Sequence, residues 1–238
     1  MRLHMLGVSG PWPVSGGATS GYLLEAADRV LQFDFGSGVL SRLTAVFPPE
    51  ELDALFLSHW HFDHVCDVLP LIYRLEAMKR VLPVYAPEDE GSEIRRIVSR
   101  ASCFDLHVLA PGAEVSLGEV RVLAGPARHP VPGLGFRVEA EGRIFGYTGD
   151  TNTHPGLKDF YQGCDLLLAD GLFPASEWTE QKPHLSAALA AGLAVDAGVK
   201  QLVLTHLNPV FSPQVLRREA WEVFSAVETA EAGAVLTL

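Results

Sequence analysis

The stretch that most restricts the fold of this chain is His59-Trp60-His61-Phe62-Asp63-His64, which places three imidazoles and a carboxylate within six residues. It follows the largely apolar residues 52–57, a pattern typical of a buried strand. Because alternate side chains on extended backbone point the same way, His59 and His61 can bind one metal ion while Asp63 and His64 turn toward a second. A histidine-rich surface loop is the alternative, and four potential ligands directly after an apolar strand disfavour it.

Charge and composition limit the classes of fold and of binding partner that are expected. The 238 residues carry a formal net charge of −11, and 48% of them are hydrophobic. This is the composition of an ordinary globular protein, and we predict a single domain over residues 1–238. Polyanion binders normally carry a basic face, so a long nucleic acid is disfavoured as a partner. The densest basic group, Arg95, Arg96 and Arg100, is interpreted as a solvated helix face.

The cysteines and the hydropathy pattern bear on location. Cys66, Cys103 and Cys164 are odd in number and widely spaced, which argues against a disulfide framework and for a reducing compartment. No apolar run approaches the length of about 18 residues that a membrane span needs. These features predict a cytoplasmic protein with no membrane partner.

Three further candidate ligands, His129, Asp150 and His206, stand beside or after apolar stretches later in the chain. Layered α/β folds present the ends of their strands at a common edge, so these side chains can join the first four. The surrounding pattern alternates strands and helices. We predict strands over residues 2–7, 22–26, 30–35, 52–58, 143–148 and 200–205, and helices over residues 39–47, 67–79, 185–197 and 213–227.

The hexapeptide resembles the signature of the metallo-β-lactamase-fold hydrolases, His-x-His-x-Asp-His at the carboxyl end of a strand, and matches it in full. The resemblance implies an α/β fold, a four-layer αββα sandwich. It also implies two metal sites that share Asp150 as a bridging ligand. The first contains His59, His61, His129 and Asp150, and the second contains Asp63, His64, Asp150 and His206. Asp34, in Asp34-Phe35-Gly36, would brace the metal loop by hydrogen bonds.

Such a ligand set suits two divalent cations. Zn²⁺ is the first choice, with Mn²⁺ or Fe²⁺ as alternatives. A pair of cations about 3.5–4 Å apart would share a hydroxide nucleophile and lower its pKa toward about 7. Asp63 would orient that hydroxide in addition to binding metal.

A further histidine, His184, indicates which branch of the metallo-β-lactamase-fold family the chain resembles. His184-Leu185-Ser186, at the predicted start of the helix over residues 185–197, resembles the ribonuclease Z and related phosphodiesterase branch. There the corresponding histidine assists the leaving oxygen, which implies a general acid at His184. The amino end of a helix disfavours imidazolium, so we expect a carboxylate partner, and Asp170 is the candidate.

The chain departs from ribonuclease Z in one segment. Ribonuclease Z inserts a long tRNA-binding arm between its third metal histidine and its bridging aspartate, whereas His129 and Asp150 are separated here by only two short strands and a turn. The sequence therefore predicts a phosphodiesterase acting on a small, compact substrate such as a cyclic mononucleotide, with Lys182 or an arginine at the phosphate. A carboxylic ester, lactone or thioester hydrolase is the first alternative, and a nuclease on short RNA is the second. A homodimer is one state that the sequence allows.

Overall fold

The computed structural model describes residues 1–238 and contains fourteen strands and seven α-helices. The strands are β1 (Arg2–Gly7), β2 (Gly21–Ala26), β3 (Arg29–Phe33), β4 (Ala54–Phe56), β5 (Leu82–Pro87), β6 (Phe104–Leu109), β7 (Glu114–Leu117), β8 (Val120–Pro126), β9 (Leu134–Ala140), β10 (Arg143–Tyr147), β11 (Leu166–Asp170), β12 (Gln201–Thr205), β13 (Val227–Thr229) and β14 (Val235–Thr237). The helices are α1 (Val39–Leu43), α2 (Phe62–Val65), α3 (Val68–Met78), α4 (Glu93–Val98), α5 (Leu157–Phe160), α6 (Ala187–Asp196) and α7 (Pro213–Trp221).

The strands form two sheets of seven strands each. The first sheet has the order β14-β1-β2-β3-β4-β5-β6, and the second has the order β13-β12-β11-β10-β9-β8-β7. Both sheets are mixed: β3 to β6 run parallel to one another, as do β10 to β13, while the remaining neighbours are antiparallel. Parallel strands require crossover connections, and helices supply most of them.

Three apolar clusters define the layers. The central cluster lies between the sheets, where Phe33 and Phe56 of the first sheet pack against Phe136 and Phe145 of the second. A second cluster joins the outer face of the first sheet to α1, α3 and α4, and a third joins the outer face of the second sheet to α5, α6 and α7. The predicted four-layer αββα sandwich is therefore confirmed.

Several predicted boundaries were wrong. The helix predicted over residues 39–47 ends at Leu43, and the helix predicted over residues 185–197 begins at Ala187, with the Ser186 hydroxyl accepting a hydrogen bond from the Leu189 amide. The final helix ends at Trp221 rather than at residue 227, because Val227 pairs with Leu202 of β12 and begins a strand. No helix of the protein has both the length and the apolar character needed to cross a bilayer.

Candidate metal centre

The hexapeptide changes from extended to helical backbone part-way along. It follows β4, whose three residues are all buried, and His61 is still extended, with φ −66° and ψ 148°, where it caps α2. Asp63 and His64 then lie in the first turn of that helix. The two halves of the motif therefore point their side chains in different directions, as the sequence predicts.

The seven candidate ligands come together at one edge of the sandwich. One group contains the ligand atoms of His59, His61 and His129, all within 4.8 Å of one another. A second group, within the same distance limit, contains Asp63, His64, Asp150 and His206. Asp150 stands between the two groups, since its Oδ2 lies 3.6 Å from His59 Nε2 and 3.2 Å from His64 Nε2.

Asp34 braces this arrangement from below. Its carboxylate is fully buried and accepts hydrogen bonds from the Ser58 amide (2.7 Å), the Ser58 hydroxyl (2.8 Å), His64 Nδ1 (2.8 Å) and the Tyr147 hydroxyl (2.5 Å). Because a carboxylate only accepts, His64 Nδ1 donates the proton of this hydrogen bond, and Nε2 is the nitrogen that faces the cluster. The bracing role expected for Asp34 agrees with this geometry.

His206 is held in an unusual backbone conformation. It has a positive φ of 55°, and its Nδ1 lies 3.2 Å from the Ser20 hydroxyl. The loop between β1 and β2 packs against it: Gly10 donates its amide to the Leu207 carbonyl (3.1 Å), and a Cβ at Gly10 would lie 2.2 Å from the His206 ring. Only glycine allows the loop to approach the imidazole this closely.

Four buried polar atoms of the cluster have no hydrogen-bond partner. They are His59 Nε2, His64 Nε2, His206 Nε2 and Asp150 Oδ1. Such atoms cost free energy unless something satisfies them, and imidazole nitrogens with carboxylate oxygens are ordinary donors to Zn²⁺ and similar cations. The residues present therefore fit divalent metal ions.

Burial and the neighbouring carboxylates shift the pKa values of the clustered histidines in opposite directions. Burial lowers the pKa of His129 to about 4 and holds the pKa values of His59 and His206 well below the ordinary value, so these imidazoles are neutral and able to coordinate. Burial also acts to lower the pKa of His64, but Asp150, Asp34 and Asp63 outweigh it and raise that pKa well above 6.5. The carboxylates thus create a field in which a cation is stabilised.

His184 stands beside the cluster but is held by a different carboxylate. Its Nδ1 lies 2.8 Å from Asp170 Oδ2 and 3.8 Å from Asp150 Oδ2. Burial opposes protonation of His184, yet the charge and hydrogen bond of Asp170 raise its pKa to about 9. His184 lies two residues before Ser186, the N-cap of α6, and does not open the helix; the pairing with Asp170 outweighs the unfavourable effect of the helix amino end on imidazolium.

The remaining histidines lie outside the cluster, and the candidate phosphate contact, Lys182, rests on an aromatic ring. His4 pairs with Glu25, His107 with Asp105, and His154 Nδ1 with the carbonyl of Pro155. Lys182, predicted as a phosphate contact, places its Nζ 4.8 Å from the centre of the Phe173 ring. Arg95 and Arg96 are paired with Glu88 and Glu93, in agreement with a solvated helix face.

Sequence reasoning missed the roles of Ser58 and Tyr147. Ser58 directly precedes the hexapeptide, and its hydroxyl lies 3.0 Å from His59 Nδ1 in addition to bonding Asp34. Its position next to the metal motif could have predicted a supporting role for Ser58. Tyr147 gave none, because a tyrosine inside an apolar strand is more often a core residue.

A cleft of about 700 Å³ opens beside His129. Its walls are rich in prolines, among them Pro87, Pro126, Pro130 and Pro132. Prolines cannot offer amide donors, so this wall provides shape more than hydrogen bonds. The volume lies in the range of small-molecule sites.

The fold and the His/Asp cluster define a metallo-hydrolase. Residues 32–207 match the model of the beta-lactamase superfamily domain, so the chain belongs to that superfamily. It is an enzyme of the metallo-β-lactamase fold, and the resemblance to its ribonuclease Z-like members is confirmed.

Individual relatives agree with this assignment. The "Probable metallo-hydrolase YhfI" of Bacillus subtilis (strain 168) is 30% identical over 242 residues, covering 99% of each chain. Its crystal structure superposes with a TM-score of 0.93 at 31% identity and covers 99% of this chain and 98% of that one. Ribonuclease Z of Methanopyrus kandleri is 30% identical over 267 residues, covering 97% of this chain and 95% of the relative. Human tRNase Z, short form, has a TM-score of 0.82 at 20% identity, covers 100% of this chain and 99% of that one, and shares the fold.

Proposed function

We propose that the cluster binds two divalent cations, most suitably Zn²⁺, with Mn²⁺ or Fe²⁺ as alternatives. His59, His61, His129 and Asp150 would hold the first, and Asp63, His64, Asp150 and His206 the second. The unsatisfied nitrogens of His59, His64 and His206 support this assignment, because a cation supplies the partner that each of them lacks. When bound, the cations supply Lewis acidity, which makes water nucleophilic near pH 7 and offsets charge on the substrate.

We propose further that the enzyme hydrolyses a phosphodiester in a small nucleotide such as a cyclic mononucleotide. The observation that carries this is the His184–Asp170 pair, 2.8 Å long, placed beside Asp150. An alkoxide leaving a phosphodiester is a strong base and needs a proton, whereas a thiolate leaving a thioester does not. A histidine held in its protonated form at this position suits the first reaction.

Four side chains have separate roles in the proposed reaction. His184 donates its Nε2 proton to the leaving oxygen, and Asp170 orients the ring and stabilises its charge. Asp63, at the edge of the second group, accepts a hydrogen bond from the attacking water and orients it. Lys182, which has a flexible stem, reaches a phosphate oxygen from its place over Phe173.

The small substrate is supported by what separates His129 from Asp150. Between them lie a short loop, β9, a two-residue turn and β10, and this stretch contains no long insertion that could hold a large RNA. The ribonuclease Z alignment spans 267 residues, more than the 238 of this chain, so that relative carries segments without a counterpart here. The net charge of −11 also disfavours a polyanion.

A nuclease acting on short RNA is the second candidate, and the ribonuclease Z relative favours it, since the same phosphodiester chemistry would serve. A carboxylic ester, lactone or thioester hydrolase would use the same metal centre, and only the thioester, which releases a thiolate, would not need His184 as a proton donor. We also propose that residues 1–238 act as one hydrolase domain and that the protein works in a reducing compartment, the cytoplasm, which its three unpaired cysteines support.

A substrate panel tests the proposal. The protein, loaded with Zn²⁺ or Mn²⁺, is assayed with bis(p-nitrophenyl) phosphate, cyclic AMP, a short oligoribonucleotide, a lactone and a thioester. Turnover of the acyl substrates alone would refute the phosphodiesterase. His184→Ala should retain the metal and lose more activity on alkyl than on nitrophenyl leaving groups; an equal loss on both would refute the proton-donor role.

A further inference from the structure

Two side chains on the His184 side of the site, Phe173 and Phe211, have no role in the proposed reaction, and Lys182 lies beside them. The Phe173 ring centre lies 6.0 Å from that of His184 and 6.3 Å from that of Phe211, both in edge-on geometry. Lys182 Nζ lies 4.8 Å above the Phe173 ring. All three side chains are partly exposed, so they line the mouth of the site and do not belong to its core.

The segment that carries Phe173 and Lys182, between β11 and α6, is tied down at several points. The Ala187 amide donates to the Phe173 carbonyl (2.9 Å), and Trp178 Nε1 donates to the His184 carbonyl (3.0 Å). Asn152 Nδ2, two residues after Asp150, donates to the Lys182 carbonyl (2.5 Å). The position of the Phe173 ring relative to His184 is therefore fixed by the fold.

Lys182 contacts an aromatic ring and has no acidic partner, which is unusual in an acidic chain. No carboxylate lies within 4.0 Å of Lys182 Nζ, although the chain has eleven more acidic than basic side chains. The ammonium instead rests on an aromatic face, a weak contact, and a phosphate oxygen is a stronger partner for it. If a phosphate draws Lys182 away, the face of Phe173 is left open to a flat ring.

We propose that Phe173 and Phe211 form a subsite for the ring of the leaving group, so that the enzyme selects phosphodiesters whose leaving alcohol carries an aromatic or heteroaromatic ring, as a nucleoside does. This rests on the proposed function, because it requires His184 to face the leaving oxygen. A leaving oxygen bonded to His184 would bring its attached group within reach of Phe173, whose ring centre lies 6.0 Å from that of His184. The ring then stacks on Phe173 while Lys182 binds the phosphate.

The test compares cyclic AMP with the 3′,5′-cyclic phosphate of ribose lacking a base. Stacking of a base on an aromatic side chain is worth enough that Phe173→Ala should lower kcat/KM for cyclic AMP by about tenfold or more, mainly through KM. The ribose compound should be cleaved equally well by both proteins, and Phe173→Tyr should restore the preference. Tyr73→Ala is the matched comparison, since it removes a 75% exposed ring on α3, outside the proposed metal and substrate sites, and should leave the preference unchanged.

The outcomes separate the two proposals. A wild-type enzyme that cleaves both compounds equally, or a Phe173→Ala variant that loses activity on both to the same degree, overturns the ring subsite and leaves the phosphodiesterase intact. Cleavage of neither compound overturns the proposed function. The subsite is then judged by calorimetry with AMP and ribose 5-phosphate: wild type should bind AMP more tightly and Phe173→Ala should not, and equal binding by wild type refutes the subsite.

Discussion

Replacing Asp34 by asparagine tests whether the buried carboxylate under the cluster sets the geometry of the metal ligands. Asparagine has almost the same shape and tolerates the positive φ of 54° found at Asp34, so the backbone should be preserved. The change removes the negative charge and replaces one acceptor oxygen by a donor. Four donated hydrogen bonds are affected.

The cost follows from those four bonds. The least harmful rotamer places the amide nitrogen at the Oδ1 position, where it opposes the Ser58 amide and leaves a buried donor unsatisfied, at about 1–3 kcal/mol. The other three bonds, from Ser58 Oγ, His64 Nδ1 and Tyr147, lose their charge assistance, at about 1 kcal/mol each. The free energy of unfolding should therefore fall by about 4–6 kcal/mol.

Metal binding should weaken as well. With its Nδ1 contact weakened, the His64 ring is less well oriented, and loss of such a supporting contact typically costs about 10–100-fold in metal affinity. Urea unfolding of the metal-free protein measures the stability, and competition with a chromophoric chelator measures the affinity for Zn²⁺. Tyr147→Phe, which removes a single donor, is the matched control and should show a smaller loss in both. Wild-type zinc affinity in a folded Asp34→Asn protein would refute the reasoning.

Three further predictions use other parts of the structure. Gly10→Ala should displace His206 and lower the bound metal, measured by elemental analysis, whereas Gly192→Ala on open helical surface should leave it unchanged; equal metal content in both would show that the close approach is unimportant. Removal of metal by chelation should lower the melting temperature and added Zn²⁺ should restore it, because a ligand that binds only the folded state stabilises it. Burial raises the pKa of Cys164 to about 12, so its thiol stays protonated and unreactive toward a disulfide reagent at pH 8; rapid labelling of Cys164 in the folded protein, read by mass spectrometry, would contradict this.

The four layers and the full set of seven ligands were implied by the resemblance of the hexapeptide to the metallo-β-lactamase-fold signature. The convergence of the later candidates also had a physical basis, because His59, Asp150 and His206 each follow an apolar strand and neighbouring strand ends meet at one edge. The Asp170 partner of His184 could also be predicted, from the requirement that a buried imidazolium needs a counter-charge.

Other features depended on contacts between distant residues and could not be predicted. The strand β14 has three residues and is formed by pairing with β1, where Leu236 lies opposite Leu3. The end of α7 was misplaced for the same reason, since Val227 pairs with β12 instead of continuing the helix. Nothing in the local sequence around Phe173 indicated that its ring would stand next to His184.

The proposed ligands are divided between the two halves of the sandwich. Asp34 and the hexapeptide follow strands of the first sheet, whereas His129, Asp150 and His206 follow strands of the second. Cations bound by these residues would link the two sheets of the sandwich. Loading should therefore come late in assembly, after both sheets have closed, and a bound second ion would report that the sheets have docked correctly.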